Sequence, residues 1–353
     1  MSCKSKFITF IFIFFLIYIL IYILKHIFIS SNDNVNRTIL NAPLFNESFS
    51  NLDICGRFKS KFEAEMYERN RIEYYIKQRK KLLKRFKIIY DETNLTTFQQ
   101  KLNYLIIHES PMYKSFLADK IKIHEYSKIV LGFDLCVPII KIYNDINEIN
   151  FDELPNKFVM KYNHGSKMNI ICNDKSKLNI SEVYRKLERW KNRDFGILYK
   201  EFQYYYIKKR ILVEEFLGDN IKDYKVFCFN GEPKFIRVGF NLNDENHTKL
   251  RNHYDTNWEL NDLEMGKKGT IRDPNIKIEK PKHLDLMLKY AKLLSQEFVF
   301  LRVDLYEVND RIYLGELTFS PSNSIISWKN EEQNLRMGNL IDLSKIKSYL
   351  FNK

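Results

Sequence analysis

The sequence lacks the patterns that mark several common catalytic and metal-binding sites. It contains no Gly-x-x-x-x-Gly-Lys-Ser/Thr and no Gly-x-Gly-x-x-Gly, so neither a P-loop nor a Rossmann phosphate site is supported. No Asp-x-Asp is present to hold a nucleotide-sugar diphosphate with a metal. The spacings of serine, cysteine and zinc hydrolases are also missing. The five cysteines, Cys3, Cys55, Cys136, Cys172 and Cys228, form no Cys-x-x-Cys pair and show no spacing suited to zinc.

Composition indicates a folded protein. Of the 353 residues, 45% are hydrophobic and 15% aromatic, which is enough for one large domain or two ordinary ones. The formal net charge of +13 is compatible with nucleic acid, an anionic membrane or an anionic substrate, and charge alone does not select among them.

The amino-terminal segment is strongly apolar. From Phe7 to Leu24 every residue except Thr9 is apolar or aromatic, and a helix of this length spans about 27 Å, enough for a thin bilayer. A cleaved signal peptide is the alternative, but its apolar region is usually shorter and is followed by a small-residue cleavage site. The flanking lysines slightly favour a cytosolic amino terminus. We therefore predict a single-pass membrane protein whose folded part lies in the lumen of the endoplasmic reticulum or Golgi.

Four regions are predicted along the chain: a transmembrane anchor over residues 1–30, a stem over 31–58, a helical and small α/β lead-in lobe over 59–150 and the main domain over 151–345. The lead-in lobe begins with an amphipathic helix from Lys59 to Tyr90. Its basic residues are expected either to face solvent or to contact anionic lipid headgroups. These residues are Lys77, Arg79, Lys80, Lys81, Lys84, Arg85 and Lys87.

The main domain is predicted to be dominated by strands, with a helix from His283 to Glu297. Asn230-Gly231 is a strong hairpin signal. In the lead-in lobe we expect a helical run from Ser115 to Tyr126 and a strand from Cys136 to Tyr143. The predicted strands of the main domain are Lys157–Tyr162, Asn169–Cys172, Arg210–Phe216, Asp223–Asn230, Glu232–Phe240, Phe298–Tyr306 and Arg311–Leu317.

The first candidate site element is the strand that ends at Lys161 and the loop that follows it. This loop contains Gly165 and several small polar residues. Backbone amides in such a loop, together with a lysine ammonium, can surround phosphate oxygens. A basic β-hairpin with a surface lysine is the alternative.

The second element combines a hinge with a charged strand. One strand ends in two acids, an aromatic residue and, after one intervening residue, a glycine, and this segment could form a hinge whose backbone contacts adenine. Asp223 and Lys225 are two residues apart, so on the next strand they face the same way. The alternative is a hairpin with an exposed ion pair. The hinge residues are Glu214, Glu215, Phe216 and Leu217.

The third element is a pair of strands joined by an Asn-Asp turn. It places Asp304 on one strand and Glu316 on the other, with Arg302 on the same face as Asp304. Two facing carboxylates in apolar strands are costly unless they hold a cation and phosphates. Mg²⁺ suits such oxygen ligands when a nucleotide completes the coordination shell.

Together, the order of these elements resembles an ATP-grasp domain. More narrowly, the chain from roughly Lys101 to Leu343 resembles the TupA-like ATP-grasp family, and Ala118-Asp119-Lys120 resembles the family's entry segment. The other motifs that carry the resemblance are Leu154-Pro-x-x-Phe-Val-x-Lys161-x-Asn-His-Gly-Ser, Asp223-Tyr-Lys-x-Phe-Cys-Phe-Asn-Gly, Tyr254-Asp-Thr-Asn-Trp258, Arg302-Val-Asp-Leu-Tyr and Gly315-Glu-Leu-Thr-Phe.

The resemblance implies an α+β fold in which antiparallel-sheet lobes clasp a nucleotide. It also implies an ATP- and Mg²⁺-dependent ligase, in which a carboxylate attacks the terminal phosphate and an amine or similar nucleophile then displaces phosphate. The implied partners are ATP and a carboxylate-bearing small molecule or a glycan or peptide acceptor, with no nucleic acid. TupA-like proteins are associated with cell-wall teichuronopeptide synthesis, so polysaccharide or peptide-polymer modification is expected.

The resemblance further implies roles for residues of this sequence. Lys161 and Lys225 would bind phosphates and Arg302 would steady the transferred phosphoryl group, so these three are the catalytic candidates. Asp304, Glu316 and Thr318 would form the metal site. The nucleotide-binding candidates are Lys161, His164, Gly165, Ser166, Glu214, Glu215, Phe216, Leu217, Asp223 and Lys225.

Two departures from the family pattern leave other functions open. ATP-grasp domains commonly end in Glu-x-Asn, whereas this chain has Glu316-Leu-Thr318, and Lys167 stands in the phosphate loop where a small residue is easier to accommodate. A nucleotide-binding protein without catalysis is therefore one alternative. A glycosyltransferase-like enzyme of the secretory pathway is another, because of the anchor and stem, and a membrane scaffold that uses the basic helix is a third.

Overall fold

The computed structural model describes residues 73–347 except 75, 110, 220, 240–248, 267–269 and 326. The predicted anchor, including Phe7–Leu24, and the predicted stem lie outside these residues. Among the described helices, none combines the length and the apolar character needed to cross a membrane. Residues 76–85 are helical. The helices that follow are α1 Phe98–His108, α2 Pro111–Ala118, α3 Ile123–Leu131, α4 Ile180–Lys191, α5 Phe195–Tyr199, α6 Leu284–Ser295 and α7 Glu331–Asn339.

Two antiparallel sheets form the body of the described chain. Their strands, with the short pair β7 and β9, are β1 Ile139–Tyr143, β2 Phe158–Tyr162, β3 Asn169–Cys172, β4 Ile211–Glu215, β5 Asp223–Phe229, β6 Glu232–Val238, β7 Lys249–Leu250, β8 Asn252–Asp255, β9 Thr270–Ile271, β10 Phe300–Val308 and β11 Arg311–Thr318. The small sheet has the order β1-β4-β2-β3, and the large sheet has the order β11-β10-β5-β6-β8.

The small sheet packs one face against α4. Val183, Leu187 and Trp190 lie at helical spacing along α4 and are buried in the same core as the sheet. Along β2, buried residues alternate with partly exposed ones, and Lys161 is one of the partly exposed residues. Strand alternation therefore directs Lys161 away from this core.

The large sheet separates an apolar face from a mixed one. On the first face, Cys228 Sγ lies 3.7 Å from the carbonyl oxygen of Ala291 in α6. On the opposite face, Phe227 and Phe300 pack together at one end, and Phe300 contacts Phe98 of α1. Charged residues of β5, β10 and β11 occupy the other end of that face, which positions them for the site described below.

The predicted strands of the main domain, and its helix, are confirmed to within two residues at each described end. The turn between β5 and β6 has left-handed φ values of 50° at Asn230 and 78° at Gly231, as the Asn-Gly signal predicted. In the lead-in lobe, the strand predicted from Cys136 to Tyr143 begins at Ile139, and the helical run predicted from Ser115 to Tyr126 is divided between α2 and α3. Asp119 interrupts it, because its Oδ1 accepts hydrogen bonds from the Ile121 amide at 2.8 Å and the Asn163 side chain at 2.9 Å.

Arg79 lies in the interior, not on the basic face predicted for it. Its side chain is 0% exposed, and the helix around it ends at residue 85 instead of Tyr90. The guanidinium donates two hydrogen bonds of 2.6 Å to Asn323 and one of 2.7 Å to Asn103. Ser322, Asn323 and Ser324, which follow β11, have left-handed φ values of 52°, 57° and 49°, a costly conformation for residues with a Cβ. Arg79 thus holds this turn against the helical segment 76–85.

Candidate active site

An apolar cavity of about 280 Å³ lies beside the predicted hinge. Val137, Val159 and Ile171 line it from the small sheet and its entry, and Tyr306 lines it from the large sheet. A cavity with apolar walls and a few polar backbone groups suits an aromatic ring that needs fixed orientation. The hinge residues predicted from the sequence, Glu214, Glu215, Phe216 and Leu217, all line this cavity.

A second cavity, of about 140 Å³, adjoins the first. The two share Lys161, Asn169 and Tyr306 as lining residues. Glu316 of β11 lines the smaller cavity opposite the loop after β2, so both sheets contribute to it. The remaining lining residues are Lys120, Gly165, Ser166, Lys167, Met168 and Gly315.

Two lysines are held at the smaller cavity by fixed partners. Lys161 forms an ion pair with Glu214 across β2 and β4. Lys120 donates from Nζ to the carbonyl oxygen of Gly165 at 2.7 Å. Burial lowers the pKa of Lys120, although Glu316 opposes this effect. Both ammonium groups are thus placed where an anion in the cavity would be attracted to them.

A row of charged side chains crosses the large sheet. Glu316 on β11 stands opposite Asp304 on β10. Asp304 stands in turn opposite Lys225 on β5, and Lys225 stands opposite Arg237 on β6. Directly opposed residues of antiparallel strands project from the same face of a sheet. Four charged residues from four strands therefore lie side by side.

Arg302 connects the acids of this row. Its Nε donates to Oδ1 of Asp304 at 2.6 Å, and its Nη2 donates to Oδ2 at 2.7 Å. Nη2 also lies 3.1 Å from Oε1 of Glu316 and 3.0 Å from Oγ1 of Thr318. Burial opposes ionisation of Asp304, but Arg302 and Lys225 outweigh burial and hold the pKa of this carboxyl below its usual range. Asp304 is therefore a fixed anion with cationic donors at both oxygens.

The predicted metal ligands are arranged around a guanidinium nitrogen of Arg302. Asp304, Glu316 and Thr318 all lie within hydrogen-bond distance of Nη2 of Arg302. Their contacting atoms are all oxygens, the ligand type that Mg²⁺ prefers. This donor set fits a hard divalent cation.

Most predicted site residues lie in the cavities or directly behind them. The residues that line the cavities are Lys161, Gly165, Ser166, Glu214, Glu215, Phe216, Leu217 and Glu316. Asp223 pairs with Lys225 and so joins the charged network beside the cavities. The other network members are Lys225, Arg302, Asp304 and Thr318.

His164, a predicted nucleotide-binding residue, lines neither of these two cavities. Its side chain is buried, and its Nε2 lies 3.1 Å from the carbonyl oxygen of Arg193. It lines a separate cavity, together with Lys191 and Tyr204. Burial lowers the pKa of His164 to about 4. The neutral imidazole of His164 therefore lies behind the loop. The two residues that follow it, Gly165 and Ser166, line the smaller cavity together with Lys161.

Lys120 and Tyr306 are among the lining residues that were not predicted as site residues. Lys120 entered the sequence analysis only through Ala118-Asp119-Lys120, and its contact with Gly165 joins distant parts of the chain. Tyr306 follows Asp304 by two positions on β10, so the two side chains share a face. That spacing was the available signal for Tyr306, whereas the motif that contains Lys120 indicated no role for it at the site.

One other group of metal-type ligands is found in the described part of the chain. His124, Asp134 and Cys136 each bring one ligand atom within 4.8 Å of the others. Nδ1 of His124 lies 2.9 Å from Oδ2 of Asp134, and Lys128 pairs with the same carboxylate. Burial raises the pKa of the Cys136 thiol, which disfavours the thiolate form that binds metals. These contacts tie α3 to the segment before β1.

Two antiparallel sheets with adjoining apolar and cationic cavities between them define the class: the protein has the α+β ATP-grasp fold. The family model described as TupA-like ATPgrasp matches residues 99–342, more than half of the chain. The chain belongs to this family, and the family predicted from the sequence is confirmed.

Several solved structures are similar to the chain at low identity. D-alanine--D-alanine ligase from Bacillus anthracis is 16% identical, covering 66% of this chain and 67% of that chain, with a TM-score of 0.39. N5-carboxyaminoimidazole synthetase from Staphylococcus aureus, complexed with ADP, is 14% identical, covering 59% and 46%, with a TM-score of 0.37. L-amino acid ligase from Bacillus licheniformis is 14% identical, covering 57% and 42%, with a TM-score of 0.34. No curated protein matches the chain.

Proposed function

We propose that the protein is an ATP- and Mg²⁺-dependent carboxylate ligase. The observation that carries the proposal is that Lys161 and Glu316, from different sheets, line a small cavity that adjoins the apolar cavity at the hinge. Adenine would lie in the apolar cavity, and the phosphates would extend into the smaller one. Family membership supports this assignment.

The chain's own cationic groups would neutralise the triphosphate. Lys161 and Lys120 border the smaller cavity, and Arg302 reaches Glu316 at its edge. Lys225 keeps Asp304 ionised and in place. Phosphoryl transfer depends mainly on positioning and on neutralising charge, and this arrangement provides both.

The proposed reaction has two steps. A carboxylate oxygen of the acid substrate forms a bond to the terminal phosphorus of ATP, while the bond to the bridging oxygen breaks and ADP leaves. An amine or thiol then attacks the acyl carbon, loses its proton and displaces inorganic phosphate. Mg²⁺ held by Asp304 and Glu316 would neutralise negative charge on the phosphates. Arg302, between those two acids, would orient the transferred phosphoryl group.

We also propose that Phe7–Leu24 anchors the enzyme in a membrane of the endoplasmic reticulum or Golgi. The length and apolar character of this segment support an anchor. The association of the family with cell-wall polymers supports a glycan, polysaccharide or peptide-polymer acceptor. Protease protection of a carboxyl-terminal tag in microsomes tests the lumenal orientation, and digestion of the tag in intact microsomes would reverse it.

Nucleotide binding without turnover is the second candidate. It is favoured by the complete pairing of Asp304 with Arg302 and Lys225, and by Thr318 in the last ligand position. In this case the charged network would be a structural ion cluster, and Mg²⁺ would not separate Asp304 from Arg302 and Lys225.

Binding and turnover by the full chain in detergent separate these candidates. Calorimetry compares ATP, GTP and a UDP-sugar with and without Mg²⁺, and ADP release is followed with a panel of amino acids and dicarboxylates. We expect ATP to bind preferentially and one class of acid to stimulate ADP release. Preference for the UDP-sugar would favour a glycosyltransferase, and ATP binding without ADP release would favour the second candidate.

A further inference from the structure

Arg237 on β6 is a buried cation that is not paired with an acid in the part of the chain that the structure describes. Only 8% of the residue is exposed. Its Nη1 contacts the thioether sulfur of Met265 at 2.7 Å, and its guanidinium lies 5.8 Å from the centre of the Phe227 ring. Among the described residues, no carboxylate forms an ion pair with it. A thioether and a ring face are weak partners for a guanidinium, which has five N–H donors.

The surroundings of Arg237 are themselves positively charged. Burial and the neighbouring Arg302 and Arg251 lower the pKa of Arg237 to about 9, against the opposing effect of Asp304 and Asp223. Those two acids are already paired with other cations, Asp304 with Arg302 and both with Lys225.

His253, the cross-strand neighbour of Arg237 on β8, lies in the same positively charged surroundings. Burial lowers the pKa of His253 to about 3, and Arg237 adds to the effect, followed by Arg272 and Arg251. Three arginines from different parts of the chain therefore act on one buried imidazole. A neutral histidine at this position cannot balance the charge of Arg237.

The position of Arg237 relates this positive region to the proposed reaction. It stands directly beyond Lys225 in the charged row, on the side away from Glu316. Adjacent strands are about 4.8 Å apart, so β6 lies roughly 10 Å from the strand of Asp304. Arg237 is thus close enough to hold a group that reacts beside Asp304, yet it lines neither of the two cavities assigned to the nucleotide.

We propose that Arg237 binds a carboxylate of the acid substrate. An uncompensated buried charge is unfavourable in the free protein, and such charges are typically kept where a ligand of opposite sign completes the site. A guanidinium also matches a carboxylate through two parallel hydrogen bonds. The proposal rests on the proposed ligase function and adds the place where the acid substrate is held: beside β6, beyond Lys225 and away from the nucleotide.

The free protein provides the first test, because a binding role and a structural role predict opposite changes. Arg237→Met removes the charge and keeps an apolar side chain of similar length. We expect the Tm of Arg237→Met to equal that of the full-length wild type or to be up to about 2 °C higher. A fall of about 5 °C or more, or failure to fold, would show that Arg237 serves the structure and would overturn the proposal. Arg336→Met is the matched control, since Arg336 forms an exposed pair with Asp262.

Anion binding provides the second test. Malonate, glutarate and citrate are added to the full chain with Mg²⁺ and a non-hydrolysable ATP analogue, and the Tm is measured. We expect at least one of them to raise the Tm of the wild type and of Arg336→Met by about 3 °C, and to leave Arg237→Met unchanged. No shift with any of the three in the wild type, or an equal shift in Arg237→Met, would overturn the proposal.

Nucleotide affinity separates this inference from the function on which it rests. Arg237→Met should bind the ATP analogue within about twofold of wild type, because Arg237 lies outside both nucleotide cavities. A tenfold loss would assign Arg237 to the phosphates instead of the acid. If the wild type itself does not bind the analogue, the ligase function fails, whatever the behaviour of Arg237→Met.

Discussion

Lys161 of the small sheet and Glu316 of the large sheet line the same cavity of about 140 Å³. Each is brought there by its strand: alternation along β2 directs Lys161 away from the α4 core, and the β10–β11 register sets Glu316 opposite Asp304. A cation and an acid from separate sheets therefore border one space. A ligand in this cavity would contact both sheets, so replacing either residue should weaken its binding.

Replacing Lys161 should weaken nucleotide binding selectively. Lys161→Met removes an ammonium at the junction of the two cavities, and a hydrogen bond to a charged group contributes about 1.5–3 kcal/mol. We expect ATP affinity to fall by about 10- to 100-fold, measured by calorimetry with Mg²⁺. Lys177→Met is the control, because Lys177 is highly exposed on the same lobe and pairs only with Asp174 among the described residues. Equal affinity in the two variants would contradict the assignment.

Replacing Asp304 should destabilise the protein as well as abolish turnover. Asp304 is 1% exposed and is bonded to both Arg302 and Lys225, so Asp304→Ala leaves two cations without their shared partner. Breaking a buried pair in this way costs about 3–5 kcal/mol, which urea denaturation would detect. The exposed Glu279→Gln should change the free energy of unfolding by less than about 0.5 kcal/mol. A fully active Asp304→Ala, or one as stable as wild type, would show that the network is not as described.

Glu201 should make stability depend on pH. Ser320 donates to its carboxylate at 2.6 Å, and burial raises the pKa of Glu201 to about 7. Between the unfolded-state pKa, near 4.5, and about 7, the folded protein binds more protons than the unfolded chain, so this group's contribution to stability falls as pH rises. A glutamine at this position does not titrate, so Glu201→Gln should not lose this stability as pH rises.

Thermal denaturation between pH 4.5 and 8 checks the prediction for Glu201. The Tm of Glu201→Gln should exceed that of wild type by an amount that grows up to about pH 7 and is constant from there to pH 8. The exposed Glu188→Gln should follow the wild-type curve throughout. Parallel curves for wild type and Glu201→Gln would show that Glu201 ionises normally in the folded state.

Replacing Arg79 should cost far more stability than replacing its basic neighbours. Arg79→Met leaves buried polar groups of Asn323 and Asn103 without their donor, and we expect a loss of about 3 kcal/mol or more. Lys84→Met, on the exposed side of the same helical segment, should change stability by less than about 0.5 kcal/mol. Denaturant unfolding of the two variants measures the difference. Similar losses in both would mean that the segment contributes no specific contact.

The sequence was most informative where the signal is local. Alternation and turn residues identified β5 and β6, because Asn230-Gly231 is itself a turn with left-handed φ values at both positions. The same alternation put Asp304 and Glu316 on facing strands, and the register agrees. These features depend on neighbours a few residues apart, which a single sequence displays.

The sequence was less informative where distant residues decide the outcome. Arg79 lies within a run of lysines and was expected to face solvent or lipid headgroups, but its partner Asn323 is far along the chain. Lys120 reaches the candidate site through the carbonyl of Gly165, which no nearby pattern reveals. His164 has the residue type and spacing of a phosphate-loop member, yet the loop turns its ring toward Arg193. Side-chain direction inside a loop is set by packing, and periodicity carries no information about it.

The contacts of Arg79 also bear on where a recombinant fragment of this protein should start. The family match begins at residue 99, and a fragment trimmed to that position would lack both Arg79 and Leu83, which is 1% exposed. Asn323 would then lack the donor that fixes the turn after β11, the strand that ends at Thr318. A productive truncation should therefore retain residue 73 onward, even though the recognisable family motifs begin later.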